Sequence, residues 1–293
     1  MNDKVRVRAA IATMTLLWGT TWGAIRIGLD GMPPLTGISL RFSLAGLLLM
    51  PLAARLGQRY PRDRAFWALC LANGLLLFTA SYSIVYWCEQ WVPSGLGAVI
   101  FATYPLLVML FAHLVLPAER ISRRGVLAGL IGFLGIAVVF SEDLRGLLGP
   151  RAATGAVILL LSPLVSALAA VAVKKWGTGY PPLPLTVVSM LVGAASTGLM
   201  ASILESTQTV VWNARSVGAL LYLAVFGSAV TFGLYFWLLT RFAARSMALI
   251  AYGTPVVAVT LGALVLDEPF TLRMGLGALL VIVGVAWALR EHR

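Results

Sequence analysis

The chain has 293 residues, of which 60% are hydrophobic and 11% are charged, and its mean hydropathy is +0.92. Soluble domains carry about 25% charged residues, so this composition excludes a soluble globular protein and indicates an integral membrane protein. The formal net charge of +11 does not require nucleic acid as a partner, because an excess of Lys and Arg in cytoplasmic loops explains it.

Hydrophobic runs of roughly 20 residues, the length that crosses a bilayer as a helix, follow one another along the whole chain. They are apolar on all sides, unlike the alternating strands of about ten residues that build a membrane β-barrel. We therefore predict an all-α integral membrane protein with a single membrane domain, residues 1–293. The ten predicted transmembrane helices cover residues 9–28, 35–54, 65–87, 94–116, 125–140, 155–173, 183–203, 216–239, 247–266 and 272–289.

The basic residues divide unevenly between the two sides of the membrane. Most of the 22 Lys and Arg residues lie at the two termini and in every second loop, including the loops around Arg62, Arg123 and Lys174. Cytoplasmic loops carry the excess of Lys and Arg, so both termini are predicted to be cytoplasmic. The even number of predicted spans agrees with this orientation.

A shift of about 150 residues superposes the two halves of the sequence. GAVIFATYPLLVMLFAHLVL (97–116) aligns with MALIAYGTPVVAVTLGALVL (247–266), which brings Pro105 onto Pro255. Beyond residue 116 the shift becomes 149, and Gly135 then meets Gly284.

This internal repeat predicts two units of five helices, residues 9–140 and 155–289. Since five is an odd number, the second unit must cross the bilayer in the opposite sense to the first. Inverted repeats of this kind place a site near the midplane between the units and allow alternating access. The sequence has no HExxH, GxSxG or GxxxxGK[ST] motif and no Asp/Glu/His cluster, so we expect neither an enzyme nor a metal or cofactor site.

Two long segments carry a resemblance to a known family, LLWGTTWGAIRIGLDGMPPLTGISLRFSLAG and GLGAVIFATYPLLVMLFAHLVLPAERISRRGVLAGLIGFLGIAVV, and LVLDEPFTLRMGLGALLVIVGVAW repeats the second. They resemble the EamA-type branch of the drug/metabolite transporter superfamily. The resemblance covers nearly the whole chain and implies a ten-helix metabolite exporter. Within the family, the chain is most similar to bacterial exporters of aromatic and other amino acids.

We accordingly predict a multi-pass protein of the bacterial inner membrane that exports small metabolites, with aromatic and other neutral amino acids as the best candidates. Its partners are the small-molecule substrate and the lipid bilayer; we expect a monomer, with a homo-oligomer as the alternative. No carboxylate lies in the middle third of any span, which favours a facilitator without a buried carboxylate for proton coupling. The alternative is a proton-coupled exporter of drugs or other metabolites.

The first span carries two tryptophans one turn apart. Trp18 lies about ten residues, or roughly 15 Å, from either end of this span, far from the interfaces where tryptophan anchors lie. It therefore either fills space between helices or lines a cavity, and Trp22 shares its face. Gly19 and Gly23 form a GxxxG pair that is typical of helix packing.

On the third span, Phe78, Tyr82, Tyr86 and Glu89 follow helical spacing and form one stripe. Tyrosine hydroxyls that faced lipid would be left without partners, so we expect this stripe to face a cavity. The residues predicted to line the substrate cavity are Trp18, Trp22, Phe78, Ser81, Tyr82, Tyr86, Tyr104, Thr231, Tyr235 and Tyr252.

Arg41 is the one arginine well inside a predicted span, where a charge costs a few kcal/mol unless it is paired or hydrated. Two interpretations stay open: it attracts a substrate carboxylate, or it forms a structural ion pair with Glu89 or Asp30. Arg26 is expected to extend its charge to the outer surface.

Pro105 and Pro255 interrupt the fourth and ninth spans at matching places, because proline removes an intrahelical hydrogen bond. They are candidate hinges, with a static bend as the alternative. Glu119 and Glu268 lie at matching span ends, where we expect them to order the starts of helices.

Overall fold

The computed structural model describes residues 3–116, 121–232, 234 and 244–290, with side chains for residues 9–116, 121–232, 234 and 253–287. Over these ranges the chain is helical and contains no β-strand. A short helix, Leu144–Leu148, precedes the long helix that begins at Pro150. The main helices are α1 (Asp3–Leu29), α2 (Pro34–Arg55), α3 (Arg64–Cys88), α4 (Ser94–Val115), α5 (Arg123–Phe140), α6 (Pro150–Trp176), α7 (Pro182–Leu204), α8 (Ala214–Val230), α9 (Ala244–Val265) and α10 (Leu272–Arg290).

Helices α2 to α7 are each long and apolar enough to cross a membrane, and the described parts of α8, α9 and α10 are apolar but shorter. Large apolar side chains such as Leu47, Leu130 and Leu199 are exposed on the outside of the bundle. Lipid chains are the surroundings that suit such a surface. The prediction of an all-α membrane protein is confirmed for the described residues, whereas ten spans with cytoplasmic termini stay a prediction.

Helices of the first half pack against helices of the second half in a reciprocal pattern. Helix α2 lies against α7, and α5 lies against α10. Helix α1 contacts α8 and α9, and α6 in turn contacts α3 and α4. If five is added to both helix numbers of such a pair, with the count returning to α1 after α10, the result is another observed pair.

The crossing of α5 and α10 depends on glycines at matching places in the two halves. A Cβ atom at Gly135 would lie 2.6 Å from the carbonyl oxygen of Gly277, and one at Gly284 would lie 2.7 Å from that of Ala128. Main-chain atoms cannot move aside as the end of a side chain can. Because lipid provides no hydrophobic driving force between helices, such close packing is a main source of their attraction.

The GxxxG pair of α1 has the packing role predicted for it. A Cβ atom at Gly19 would lie 2.5 Å from the Val257 side chain, and one at Gly23 would lie 2.3 Å from the Leu261 side chain. Both contacts are with α9, so this face of α1 is a helix-packing seam.

Helices α2 and α7 cap each other at opposite ends. Directly after α7, the Glu205 carboxylate accepts hydrogen bonds from the main-chain N–H groups of Leu35 (2.8 Å) and Thr36 (2.9 Å) at the start of α2. Directly after α2, the Gln58 side-chain oxygen accepts one from the N–H of Leu183 in α7 (3.1 Å). The first N–H groups of a helix have no partners within it, so these side chains complete both helices.

Glu268 performs the same task for α4. Its carboxylate accepts hydrogen bonds from the N–H groups of Ser94 (2.7 Å) and Gly95 (3.1 Å). The prediction that Glu268 orders a helix start is confirmed, although that start belongs to the first half of the chain. Glu119 lies outside the described residues. We call the face that carries residues 29–34, 88–94 and 204–214 the outer face, after the predicted orientation.

Gly135→Ala should destabilise the protein by about 1–3 kcal/mol, because its new methyl group would overlap main-chain atoms of α10. Gly129→Ala is the matched control in the same helix, since a Cβ atom there has no neighbour within 4 Å. That control should be neutral or gain up to about 1 kcal/mol from helix propensity. Thermal unfolding in detergent measures both, and equal midpoints would contradict the packing role of Gly135.

Glu205→Ala should lower the free energy of unfolding by about 1–2 kcal/mol, since it leaves helix-start N–H groups without an acceptor. Glu205→Gln keeps one carbonyl oxygen and should lose less. The same thermal assay tests this order, and an unchanged midpoint in Glu205→Ala would show that the cap does not stabilise α2.

Candidate functional site

The centre of the bundle is shaped by π-helical segments in two helices that match in the repeat. Gly74–Ser81 in α3 and Val225–Val230 in α8 both have this conformation. Single π turns inside α-helices occur frequently at functional sites. Gly74–Ser81 contacts α6 and α7, and Val225–Val230 contacts α1 and α2. Arg41 of α2 hydrogen-bonds to Tyr86 of α3 and to Ser228 of α8.

Arg41 is buried, with 2% of its surface exposed. Its Nε donates a hydrogen bond to Ser228 Oγ (3.1 Å), Nη1 donates to the Tyr86 hydroxyl (3.2 Å), and Nη2 donates to the Gly227 carbonyl oxygen (3.4 Å). Its Cζ also lies 5.1 Å from the ring centroids of Phe42 and Tyr82. The guanidinium is therefore held by neutral groups from both halves of the chain.

The predicted ion pair between Arg41 and Glu89 or Asp30 is absent. Neither side-chain oxygen of Glu89 has a hydrogen-bond partner among the described residues, and Asp30 is exposed. A guanidinium has five N–H donors, and the three bonds above leave two of them available. Arg41 thus carries a buried positive charge that no carboxylate neutralises within the described part of the chain.

Five aromatic rings form a connected group that touches Arg41 through Phe42 and Tyr82. We call this group the central aromatic cluster: Trp18, Phe42, Phe78, Tyr82 and Phe232. Phe42 makes edge contacts with Phe78 and Tyr82, at centroid distances of 4.9 and 4.7 Å. Phe78 stacks on Tyr82 at 6.2 Å. Phe232 links this group to Trp18, with centroids 6.2 Å from Phe78 and 6.4 Å from Trp18.

Other predicted cavity residues lie elsewhere. Ser81 turns towards α6, where its hydroxyl is 2.8 Å from Ser162 Oγ and 2.7 Å from Ser166 Oγ. Thr231 is buried, and its hydroxyl donates to the Ser228 carbonyl oxygen in its own helix (3.1 Å). Both side chains satisfy their hydroxyls within the protein, as packing residues do.

Trp22 packs against α4 rather than the central aromatic cluster. Its ring lies 5.8 Å from that of Phe101, and a Cβ atom at Gly97 would come within 2.8 Å of it. Tyr104 stacks on Phe101, with ring centroids 5.7 Å apart. These three rings form a separate row between α1 and α4.

The two candidate hinges have different surroundings. Helix α4 is interrupted between Phe101 and Tyr104, directly before Pro105, whereas Pro255 lies inside the continuous helix α9. Tyr235 and the side chain of Tyr252 lie outside the described residues.

Glu89 ends α3 at the outer face and has no exposed surface. Arg26 is partly exposed, and its Nη1 donates a hydrogen bond to the main-chain carbonyl oxygen of Glu89. A buried carboxylate is thus present at the end of a predicted span, although none lies in the middle third of one. Tyr86, one turn before Glu89, lines a narrow cleft near the same face with Gly28, Leu29, Met32, Gly37, Leu220 and Leu223.

Sequence reasoning missed Phe42, Phe232 and Ser228. The repeat carried a signal for two of them, because a shift of 150 places Tyr82 on Phe232 and Phe78 on Ser228. Phe42 simply follows Arg41, and its sequence context gave no sign that its ring would lie against two rings of α3.

Comparison with known proteins identifies the family. Residues 8–141 and 153–290 each match the EamA-like transporter family. The chain is 30% identical over 261 residues to the uncharacterized inner membrane transporter YedA of Escherichia coli (strain K12), covering 86% of this chain and 80% of that one. It is 25% identical over 281 residues to the uncharacterized transporter YoaV of Bacillus subtilis (strain 168), covering 96% of each.

More distant similarities agree with this assignment. A probable amino-acid metabolite efflux pump of Escherichia coli (strain K12) is 23% identical over 288 residues, covering 93% of this chain and 91% of that one. A protein of known crystal structure shares the fold over 99% of both chains, with a TM-score of 0.71 and 19% identity. The resemblance noted in the sequence is thus confirmed: the chain belongs to the EamA-like transporter family of the drug/metabolite transporter superfamily and is a multi-pass protein of the inner membrane.

Proposed function

We propose that this EamA-family transporter exports small metabolites that carry a carboxylate, with aromatic and other neutral amino acids as the best candidates. It does so by alternating access between two inverted five-helix halves, residues 9–140 and 155–289. One observation about Arg41 carries the proposal. Arg41 is a buried cation between the halves, and no carboxylate among the described residues pairs with it.

Arg41 has the donors that a carboxylate requires. A carboxylate accepts two parallel N–H bonds from a guanidinium, and this charge-assisted pair is about twice as strong as neutral hydrogen bonds. The neutral oxygens now in contact with Nη1 and Nη2 are 3.2 and 3.4 Å away, at or beyond the long end of the usual range. A substrate carboxylate would replace weak contacts with strong ones.

The central aromatic cluster supplies apolar surface beside this charge. Tyr82 and Phe42 touch both the guanidinium and the rest of the cluster. A zwitterionic amino acid bound by its carboxylate at Arg41 would therefore place its side chain against aromatic rings. Offset or edge contacts between aromatic groups add about 0.5–1.5 kcal/mol beyond burial, which favours aromatic side chains.

The reciprocal packing of helices supports the inverted arrangement of the two halves. Each half contributes to the surroundings of Arg41, since Tyr86 comes from α3 and Ser228 from α8. Rocking of one half against the other would separate these two contacts and open the site. Pro105 and Pro255 remain the candidate hinges for this motion.

The alternative, a proton-coupled exporter of drugs or other metabolites, fits the site less well for cationic drugs. The charge of Arg41 would repel a cation at the centre of the bundle. The similarity to a probable amino-acid metabolite efflux pump also favours amino acids. Arg41 bears on the substrate and not on proton coupling. A group that could bind a proton is Glu89, a second buried ionisable side chain.

Arg41→Gln should lower the flux of labelled tryptophan from proteoliposomes about tenfold or more, because it removes the charged donor of the carboxylate. Arg41→Lys keeps the charge but not the paired donors and should recover only part of the flux. Arg215→Gln is the control, since Arg215 is exposed near the outer face. Tryptamine, which lacks the carboxylate, should move poorly in wild type, and transport of tryptamine as fast as tryptophan would contradict carboxylate recognition.

Tyr82→Ala and Trp18→Ala should each lower tryptophan flux about threefold to tenfold, because each removes ring contacts beside the substrate. Trp212→Ala is the control, as Trp212 is 65% exposed. All variants should elute as monodisperse peaks in size-exclusion chromatography. Unchanged flux in both cluster variants would leave these rings as packing residues only.

A further inference from the structure

We propose that Glu89 binds a proton when the outer face is closed, and that loss of this proton to the outer solution opens that face. This inference rests on the alternation proposed above, since only a face that opens can bring water to Glu89. It adds a proton site, at the end of α3, to the substrate site around Arg41.

The burial of Glu89 requires the neutral form. Its side chain has no exposed surface, and both carboxyl oxygens lack a hydrogen-bond partner among the described residues. An ionised carboxylate in such surroundings costs several kcal/mol, and a buried acid avoids this cost by taking up a proton. The closed arrangement therefore favours the protonated acid, and water entering the outer face favours the carboxylate.

Glu205 shows how a buried acid at this face is accommodated when hydrogen-bond donors surround it. Only 8% of its surface is exposed, yet its two oxygens accept three hydrogen bonds, from the N–H groups of Leu35 and Thr36 and from the Thr36 hydroxyl. The start of a helix also favours negative charge. Glu89 has neither donors nor a helix start, since it follows the last turn of α3.

Charged groups from three sides act on Glu89. Glu268, in the segment before α10, opposes its ionisation, while Arg26 of α1 and Arg41 of α2 favour it. Arg26 directs Nη1 to the main-chain oxygen of Glu89, and Arg41 is bonded to Tyr86 one turn away. Both cations therefore lie near the acid without binding its carboxyl group, and a small separation of helices at the outer face would let them pair with the newly formed carboxylate.

A cleft near the outer face lies one helical turn from this group along α3. The narrow cleft between α1, α2, α3 and α8 is lined by Tyr86, on the same face of α3 as Glu89. Widening of this cleft would hydrate the carboxyl group, which then releases its proton as hydronium. Closing of the face reverses both steps.

The chain contains its own reporter for the test. Cys88, next to Glu89, is fully buried, and Cys70, near the other end of the same helix, is buried as well. These are the two cysteines of the sequence. A membrane-impermeant maleimide added to right-side-out vesicles, followed by peptide mass spectrometry, therefore measures opening of the outer face at Cys88, with Cys70 as internal control.

The ratio of Cys88 labelling in wild type to that in Glu89→Gln should rise about tenfold when the pH is raised from about 6 to about 9, because a higher pH favours the ionised form of Glu89 and Gln cannot ionise. Because wild type and Glu89→Gln are labelled at the same pH, their ratio cancels the ordinary pH dependence of the reaction between the Cys88 thiol and maleimide. The charge of ionised Glu89 disfavours the neighbouring thiolate, so this direct effect would lower the ratio rather than raise it. Glu205→Gln should follow wild type.

A ratio that stays flat with pH would overturn the proposal, as would a Glu205→Gln variant that behaves like Glu89→Gln. Labelling needs no substrate, so a failure of the tryptophan experiments would contradict the proposed function without touching this result. Infrared spectroscopy of the wild type gives a second measurement. The C=O band of a protonated acid should be present at neutral pH and absent in Glu89→Gln, and a band that persists in this variant would also overturn the proposal.

Discussion

Close packing of main chains between the two halves is the contact on which the rest of the structure depends. In a bilayer, moving an apolar side chain from lipid to a helix interface gains no hydrophobic free energy. Helices therefore associate where small residues let their backbones touch. Gly135 and Gly284 provide such contacts at the crossing of α5 and α10. Glu205 and Gln58 add reciprocal caps between α2 and α7. Each half thus completes the other, and neither buries its polar groups alone.

Against this background, two charged groups depart from the general rule. Buried charged side chains in the described part of the chain are Arg41, Glu89 and Glu205. Among the described residues, Glu205 has three hydrogen-bond donors, Arg41 has only neutral partners, and the Glu89 carboxyl oxygens have no partner. Membrane proteins keep costly intramembrane charges chiefly where function requires them. The contrast with Glu205 therefore marks Arg41 and Glu89 as the candidates for a functional charge.

Periodicity and repetition made most of the fold accessible from sequence. Hydrophobic length predicted the helices that the structure describes, and GxxxG spacing predicted the seam of Gly19 and Gly23 against α9. Long-range geometry was not accessible in the same way. A stripe such as Phe78, Tyr82 and Tyr86 shows which side chains share a face, but not that Ser81 turns to α6 or that Trp22 packs on α4. Nor does the distance of Glu89 from a span end reveal its burial, which depends on neighbouring helices.

The stripe on α3 that contains Tyr86 and Glu89 connects the two unusual buried groups, Arg41 and Glu89. Tyr86 has a single hydroxyl group, and its oxygen accepts a hydrogen bond from Arg41 Nη1. A substrate carboxylate at Arg41 would compete for the same guanidinium edge and release the Tyr86 hydroxyl, one turn from Glu89. It would also neutralise the positive charge that favours ionisation of Glu89. The two proposed sites are thus connected by the charge of Arg41 and by the position of Tyr86 between Arg41 and Glu89 along α3.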